Sequence, residues 1–124
     1  MKTLKVGIAS YHEMKERTIR IAEGEERTSA ETPTVWFTSM ESFAKVLSDG
    51  NRELLRVIAE QAPASLGELA EMTGRAKSNL SRTLKMMEGY GFIRLERGIR
   101  GRVTPRVTAD RIELDMQLTR RVPG

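Results

Sequence analysis

The feature that most constrains the fold of this chain is the order of patterns in residues 65–107. Ser65 and Glu68 have the spacing of a capping box, in which each side chain accepts a hydrogen bond from a backbone N–H at a helix start. Gly74 then supplies the residue without a Cβ atom at which helices commonly end. A second helical pattern begins directly after it. Two helices joined by so short a turn predict a helix-turn-helix unit.

The second helix has one apolar face and one polar face. Its apolar residues recur at helical spacing and predict a single buried stripe, namely Ala76, Leu80, Leu84 and Met87. With that stripe packed inward, most of the polar residues face solvent, namely Lys77, Ser78, Ser81, Arg82 and Lys85, and Asn79 lies near the edge of that face. Gly89 and Gly91 predict the end of the helix.

An arginine-rich ribbon follows this helix. Ile93 and Leu95 predict its first strand, and residues 102–107 predict its second. Between them, residues 97–101 read Arg-Gly-Ile-Arg-Gly and predict a tight tip. Pro105 cannot donate a hydrogen bond to a ladder, so we expect the return strand to lie at a sheet edge.

Positive charge is concentrated in the same part of the chain. The net charge of the 124 residues is +4, yet residues 75–106 carry nine cations and two acids, which gives +7 there and −3 elsewhere. A basic face on a mildly acidic body is typical of proteins that bind nucleic acid. The alternative is that these charges only keep a surface hydrated. We favour binding because the excess coincides with the predicted helix and ribbon.

The run SLGELAEMTGRAKSNLSRTLKMMEGYGFIRLERG resembles the winged helix-turn-helix of MarR-like prokaryotic transcriptional regulators. In that family a small-residue turn, a recognition helix ending in a Leu-Lys-x-Met/Leu-Glu type of segment, a glycine and a hydrophobic strand follow in this order. The whole chain, with its opening strand and IELDM close, resembles small winged-helix DNA-binding proteins, some of which are antitoxins of toxin–antitoxin pairs. The resemblance implies a winged helix-turn-helix core.

The polar residues of the helix and ribbon divide into two groups by their chemistry. Base-reading candidates match the donors and acceptors of base edges, namely Lys77, Ser78, Asn79 and Arg82. Phosphate and wing candidates would hold the backbone or enter a minor groove, namely Arg75, Ser81, Lys85, Arg97, Arg100 and Arg102. Alternatives stay open: Ser78 could only cap its helix, and Asn79 could turn sideways. Arg94 and Arg106 could be ordinary solvated strand positions.

The rest of the chain predicts a smaller set of elements. In order they are a strand at 3–9, a helix at 10–23, an acidic loop at 24–33, a strand at 34–38, helices at 39–48 and 51–61, and a strand at 111–119. We therefore expect an α+β fold with three regions. These are a strand-helix-strand extension for dimerisation or partner binding (1–38), the winged helix-turn-helix DNA-binding core (39–107), and a C-terminal strand and tail (108–124).

Apolar patterns also predict which side chains of these elements are buried. For the two helices before the helix-turn-helix unit they are Met40, Phe43, Val46, Leu47, Leu54, Leu55, Ile58 and Ala62. Trp36 lies on the strand face opposite Val35 and Phe37, so another element or another subunit should cover it. The apolar face of the last strand needs a sheet partner, for which the N-terminal strands are candidates, in the same subunit or across a dimer.

Composition excludes several classes of function. Without cysteine there is no disulfide, thiolate metal site or thiol switch, which agrees with a cytoplasmic protein. No apolar run could span a membrane, and residues 1–10 lack the apolar region of a signal peptide. The sole histidine, His12, is expected at the surface. Because neither clustered metal ligands nor a GK[ST] phosphate loop occurs, we expect no metal, no cofactor and no enzyme activity.

Together these patterns predict a dimeric, cytoplasmic repressor that binds a near-palindromic operator in double-stranded DNA. One alternative is the antitoxin of a type II toxin–antitoxin module, which would bind a small toxin through the N-terminal unit or the acidic loop and regulate its own operon. A second alternative is a winged-helix protein-interaction module without DNA binding, against which the basic face argues. RNA binding has no aromatic stacking platform to support it. Control by a small ligand stays open.

Overall fold

In the computed structural model the described residues are 2–22, 24 and 33–119, and within the first range residues 17, 18, 20 and 21 are described by their backbone alone. These residues form five α-helices and two small sheets, so the fold is mixed α+β. The chain divides into two compact units. We call Met1–Lys2 with Val46–Arg111 the helical unit, and Thr3–Lys45 with Ile112–Gly124 the sheet unit. These bounds differ from 1–38, 39–107 and 108–124, whose functional division stays a prediction.

All the expected helices and strands are present, with ends displaced by a few residues. In chain order they are β1 (Thr3–Ile8), α1 (Tyr11–Ala22), β2 (Val35–Phe37), α2 (Met40–Val46), α3 (Asp49–Gln61), α4 (Leu66–Thr73), α5 (Lys77–Tyr90), β3 (Ile93–Arg97), β4 (Val103–Val107) and β5 (Arg111–Met116). A short 3-10 turn, Ile99–Gly101, lies between β3 and β4. The predicted acidic loop falls mostly outside the described residues.

In the sheet unit β1 lies between β2 and β5. β1 and β2 run parallel, with Val6 opposite Val35 and Ile8 opposite Phe37. Val6 and Phe37 are buried, and the Phe37 ring meets the Phe43 ring of α2 edge-on, with the ring centres 5.4 Å apart. The strand near the C-terminus therefore has an N-terminal strand of the same chain as its neighbour, one of the two arrangements expected.

Trp36 is covered from within the same sheet. It lies opposite Gly7 of β1, and a Cβ atom at Gly7 would be 2.4 Å from Cζ3 of the indole ring. Glycine is therefore required at this position, because any side chain would collide with the ring. We expected another element or subunit to cover Trp36. That element is the neighbouring strand β1, and the indole ring lies against Gly7, the glycine of that strand.

The start of α1 agrees with the sequence. The Ser10 hydroxyl accepts from the Glu13 amide and the Glu13 carboxylate accepts from the Ser10 amide, both at 3.2 Å, which completes the predicted capping box. His12 is at the surface, as expected, with its side chain 75% exposed and its Nε2 2.9 Å from a carboxylate oxygen of Glu16.

The core of the helical unit is made by α3, α4, α5 and the β3–β4 hairpin. Its fully buried side chains are Leu54, Pro63, Leu69, Leu80, Leu84, Met87, Ile93 and Pro105. β3 and β4 pair antiparallel as a two-stranded sheet, with Leu95 opposite Pro105. Pro105 thus lies on an edge strand, as its missing N–H predicted.

The ends of α3 differ from the prediction at both sides. The helix begins at Asp49 because the Ser48 hydroxyl accepts from the Asn51 amide at 3.2 Å and caps it, so the expected breaker at residues 49–51 is the first turn. Val57, which the pattern missed, is buried, whereas Leu55 is only half-buried. Ala62, expected to be buried, is the exposed C-cap, with φ 46°.

Three further expectations were wrong for local reasons. Ala76 is not part of the buried stripe of α5: it is the exposed N-cap, because the helix begins at Lys77. Gly89 lies inside α5, which ends at Gly91 with φ 90°. Met40 was expected to point inward but is 43% exposed, since it occupies the first position of α2.

Candidate nucleic-acid interface

The orientation of α5 is determined by its buried stripe. Leu80, Leu84 and Met87 have no exposed surface, so the opposite side of the helix faces outward. The side chains on that side are exposed, namely Lys77, Ser78, Asn79, Arg82 and Lys85. Ser81 is half-buried. We call these six residues the helix surface.

The first turn of α5 has no side-chain cap. Its N-cap is Ala76, which cannot accept a hydrogen bond through its side chain, so the first N–H groups of α5 lack a side-chain acceptor. Ser78 lies inside the helix, which removes the alternative that it only caps it. The positive end of the helix dipole therefore coincides with Lys77, a combination that favours an approaching anion.

The turn between α4 and α5 is anchored to α3 through Arg75. One guanidinium nitrogen of Arg75 donates to the Gly50 carbonyl oxygen at 2.9 Å, and the other donates to Oδ1 of Asn51 at 3.3 Å. Asn51 in turn donates through Nδ2 to the Val46 carbonyl oxygen at 3.0 Å. Arg75 was expected to contact phosphate; its guanidinium is engaged in holding the helices together.

The start of α4 is capped almost as predicted. The Ser65 hydroxyl accepts from the Glu68 amide at 3.1 Å. The Glu68 carboxylate accepts from the Ala64 amide at 3.0 Å, one residue before the donor that a capping box would use. At the other end, Gly74 caps the helix with φ 74°. Local residues therefore define both ends of α4: two side chains at its start and a glycine at its end.

The hairpin is attached to the rest of the helical unit by hydrogen bonds. The Glu88 carboxylate near the end of α5 accepts from the Leu95 amide at 3.1 Å. Thr104 donates its hydroxyl hydrogen to the Ala64 carbonyl oxygen at 2.7 Å, and Thr108 donates to the Gly91 carbonyl oxygen at 2.6 Å. These bonds, which join residues up to 40 positions apart, define where the hairpin leaves the core.

The hairpin tip, residues 98–102, is a tight closed turn. The Gly98 amide donates to the Arg102 carbonyl oxygen at 2.8 Å, and the Arg102 amide donates to the Ile99 carbonyl oxygen at 3.2 Å. Arg100 has φ 60°, the left-handed region that non-glycine residues rarely adopt. Arg97, Arg100 and Arg102 are exposed.

The cations of the helical unit divide into paired and unpaired ones. Among the residues that the structure describes, six exposed cations of α5 and the hairpin have no acidic side chain within ion-pair distance, namely Lys77, Arg82, Lys85, Arg97, Arg100 and Arg102. By contrast, Arg52 pairs with Asp49 on α3, and Arg56 pairs with Glu53 and Glu60. These six unpaired cations are among the residues that the sequence marked for DNA contact.

Glu96 accounts for the two hairpin arginines whose role the sequence left open. Its carboxylate oxygens are 2.9 Å from the Arg94 guanidinium and 3.7 Å from Nε of Arg106. The hydrogen bond from Arg94, with Arg106 nearby, holds the pKa of the Glu96 carboxyl below its ordinary value. On α3, the hydrogen bond from Arg56 likewise lowers the pKa of the Glu53 carboxyl. The pairing in the hairpin had a sequence signal, because positions 94 and 96 share one strand face.

One exposed residue of the hairpin tip, Ile99, was not among the residues predicted for the site. Its side chain is 86% exposed, more than most large apolar residues in the described chain. The signal was available as a single aliphatic residue inside an otherwise polar tip.

The described residues contain neither a metal-binding cluster nor a membrane-spanning helix. In residues 2–22, 24 and 33–119 no group of three or more His, Cys, Asp or Glu side chains could hold a metal ion. Within the same residues, no helix combines the length and the apolar character needed to cross a membrane. That the chain is not an enzyme stays a prediction.

A family model designated HVO_A0114 matches residues 46–114, more than half of the 124 residues. The matched range runs from the last residue of α2 into β5 and contains every residue of the helix surface and the hairpin. A search of curated proteins gave no match. The likeness to MarR-like regulators therefore stays a prediction.

Proposed function

The chain belongs to the HVO_A0114 family, and we propose that it is a sequence-specific DNA-binding regulator whose helix surface and hairpin contact one duplex. The observation that carries this proposal is the division of charge in the helical unit. Six exposed cations on α5 and the hairpin have no acidic partner among the described residues, whereas Arg52 and Arg56 of α3 do. Unpaired cations exposed together are typical of a phosphate-binding surface.

In this proposal α3, α4, α5 and the hairpin form a winged helix-turn-helix. Three residues, 74–76, join α4 to α5, which is the length of turn that such a unit uses. α5 would lie in the major groove, with its N-terminal residues toward the base edges, and the hairpin would be the wing. The bond from Leu95 to Glu88 supports this assignment, because it ties the hairpin to the end of α5.

The exposed residues of α5 have the chemistry that base reading needs. Arg82 could donate two hydrogen bonds to a guanine, and Asn79 could pair with an adenine. Lys77 and Ser78 lie at the start of the helix, where a recognition helix approaches the bases most closely. Lys85 and the hairpin arginines would hold the phosphate backbone and thereby set the position of α5.

One such unit offers few base contacts, so we propose that the protein acts as a homodimer on a near-palindrome. A surface for the second copy is available on β5, the end strand of its sheet, where Leu114 and Met116 are 37% and 44% exposed. A dimer bound across a promoter would repress in the cytoplasm by excluding polymerase. Leu114→Lys should then reduce dimer formation in sedimentation and weaken binding to a paired site but not to a half-site.

The direct test is selection of duplexes from a random pool by the wild-type chain, followed by fluorescence anisotropy on the selected duplex. The double variant Lys77→Ala/Arg82→Ala should bind that duplex more weakly by roughly 10² to 10³-fold, because each good base contact contributes about 1–3 kcal/mol. Arg52→Ala/Arg56→Ala is the matched control, since it removes the same charge from α3, and should bind nearly as wild type. Equal losses in both variants, or no enriched duplex, would refute the proposal.

The antitoxin alternative needs the same DNA-binding core and, in addition, a toxin partner for the sheet unit. The exposed apolar side chains of β5 are equally available to such a partner. Co-purification of the chain with the product of a small adjacent open reading frame that is toxic alone would favour it. A stable dimer that does not bind that product would favour a repressor without a toxin partner.

A further inference from the structure

Ile99 has no role in the fold of the helical unit. Its side chain is 86% exposed at the hairpin tip, whereas the core of this unit is made by side chains with almost no exposed surface. The tip turn needs only the Ile99 backbone, whose carbonyl oxygen accepts from the Arg102 amide. The side chain is therefore free to serve a contact outside the described chain.

The tip that carries this side chain is a closed turn with a strained backbone. Two hydrogen bonds close residues 98–102, and Arg100 occupies a left-handed conformation with φ 60° and ψ 34°. A non-glycine residue in that region stores strain, and such strain is concentrated at binding sites. Ile99 precedes Arg100 directly and therefore lies in a hydrogen-bonded turn whose backbone is strained.

Three cations surround the aliphatic group in sequence, and none has an acidic partner among the residues described. They are Arg97, Arg100 and Arg102. A partner that matches this tip must have two anionic edges with a less polar surface between them. The minor groove of a duplex has this composition, because phosphates line both edges and sugar and base edges form the floor.

We propose that Ile99 enters the minor groove as an apolar wedge, partly unstacks one base step and bends the duplex. This inference rests on the proposed DNA binding and adds the residue that deforms the DNA. Aliphatic side chains inserted beside arginines act in this way in proteins that bend DNA. Flexible pyrimidine–purine steps should be preferred at the position of the tip, because they unstack most readily.

An anionic lipid surface also combines negative charge with an apolar interior. It is the alternative partner for the hairpin tip. The tip favours DNA, because one aliphatic side chain on a two-stranded hairpin is little apolar area for membrane attachment. Vesicles of phosphatidylserine and phosphatidylcholine, added to the intact chain, separate the two. Retention on these vesicles that Ile99→Ala abolishes, with no effect of that variant on DNA, would overturn the proposal.

The main test uses a duplex enriched by the selection described above, in which 2-aminopurine replaces one adenine at a time. Wild type should raise the 2-aminopurine fluorescence at one step and shorten the end-to-end distance measured by energy transfer. Ile99→Ala should lose both signals while binding only about 3- to 10-fold more weakly, since the arginines and α5 still bind. Tyr11→Ala, a control at a 77% exposed residue of the sheet unit, should keep both signals.

The outcomes separate the wedge from the proposed function. If wild type binds the duplex and Ile99→Ala gives the same fluorescence and the same bend, the wedge is wrong and DNA binding stands. If wild type binds no duplex, both proposals fail. Circular dichroism melting of Ile99→Ala should match wild type, because the residue is exposed; loss of both signals with an unchanged melting curve supports the wedge.

Discussion

Glu96 lies between two arginines that oppose each other across the hairpin. Arg94 and Arg106 are paired positions of β3 and β4, and like charges so placed repel. The Glu96 carboxylate contacts both guanidinium groups and offsets that repulsion. It also engages both guanidinium groups, so under the proposed function its charge would link hairpin stability to DNA binding.

We expect Glu96→Gln to bind DNA more tightly and with a steeper salt dependence, by about one additional phosphate contact. The removed charge frees Arg94 and Arg106. Anisotropy titrations of wild type and variant over a range of salt concentrations measure both effects. Unchanged affinity and slope would mean that these arginines lie away from the duplex.

The same variant should be less stable than wild type at neutral pH. The folded pKa of Glu96 is lowered, so its stabilisation is present above the ordinary value of 4.5 and is lost as the pH falls through the folded pKa. At a pH below the folded pKa the wild-type carboxyl is largely protonated and resembles glutamine. The melting temperatures of wild type and Glu96→Gln should therefore differ at pH 7 and become equal in acid. A difference that persists in acid would show that the Glu96 charge is not the cause of the lower stability.

Arg75→Leu should lower the free energy of unfolding by about 1–3 kcal/mol, because the Gly50 carbonyl and the Asn51 side chain lose a charged donor. Urea unfolding monitored by circular dichroism measures the change. Arg52→Leu, which removes an arginine from the exposed side of α3, should unfold nearly as wild type. Equal stability of the two variants would show that the Arg75 bonds add nothing.

At the scale of elements, α5 contains a glycine that is not required to end the helix. Gly89 lies inside the helix, and a Cβ atom there would meet nothing within 4 Å. Glycine in a helix interior is less favourable than alanine because it loses more conformational entropy on folding. The helix therefore has room to be strengthened without altering the helix surface.

Gly89→Ala should raise the free energy of unfolding by about 0.5–1 kcal/mol. Gly7→Ala, the same chemical change in β1, should lower it by more than about 1 kcal/mol, since its Cβ would collide with Trp36. Chemical denaturation of both variants measures the two effects. Two changes of the same sign would contradict the packing described for these elements.

For the whole molecule, the distribution of charge along the chain is more informative about binding partners than the net charge. Residues 75–106 carry +7 and the rest carries −3, so a small net charge conceals a strongly basic surface. Such a surface attracts a polyanion over a distance of about a Debye length, and salt screens it.

Affinity for the selected duplex should fall by about 10³ to 10⁴-fold between low and moderate salt, if a dimer neutralises about six to eight phosphates. Each neutralised phosphate releases counterions, so the logarithm of the binding constant should fall linearly with that of the salt concentration. A nearly flat dependence would contradict phosphate binding by the unpaired cations.

Local patterns in the sequence were enough to predict the α+β class, the helices and strands of the described residues, and the outward side of α5. Periodicity, capping boxes and helix-ending glycines act between residues a few positions apart, so the sequence displays them directly. Local reasoning was wrong where a cap decided the boundary. Ser48 began α3 at residues that looked like a break, and Ala76 became an N-cap instead of a buried residue.

Only the tertiary structure decided which groups meet. Arg75 contacts Gly50 from 25 positions away, Thr104 contacts Ala64 from 40, and Trp36 covers Gly7. No periodic pattern connects such residues, because folding brings them together through the packing of other elements. The contact of Arg75 engages one cation of the basic stretch, and the ion pairs of Glu96 engage Arg94 and Arg106. The sequence by itself determined the elements and the charge; the tertiary structure decided how much of that charge is unpaired.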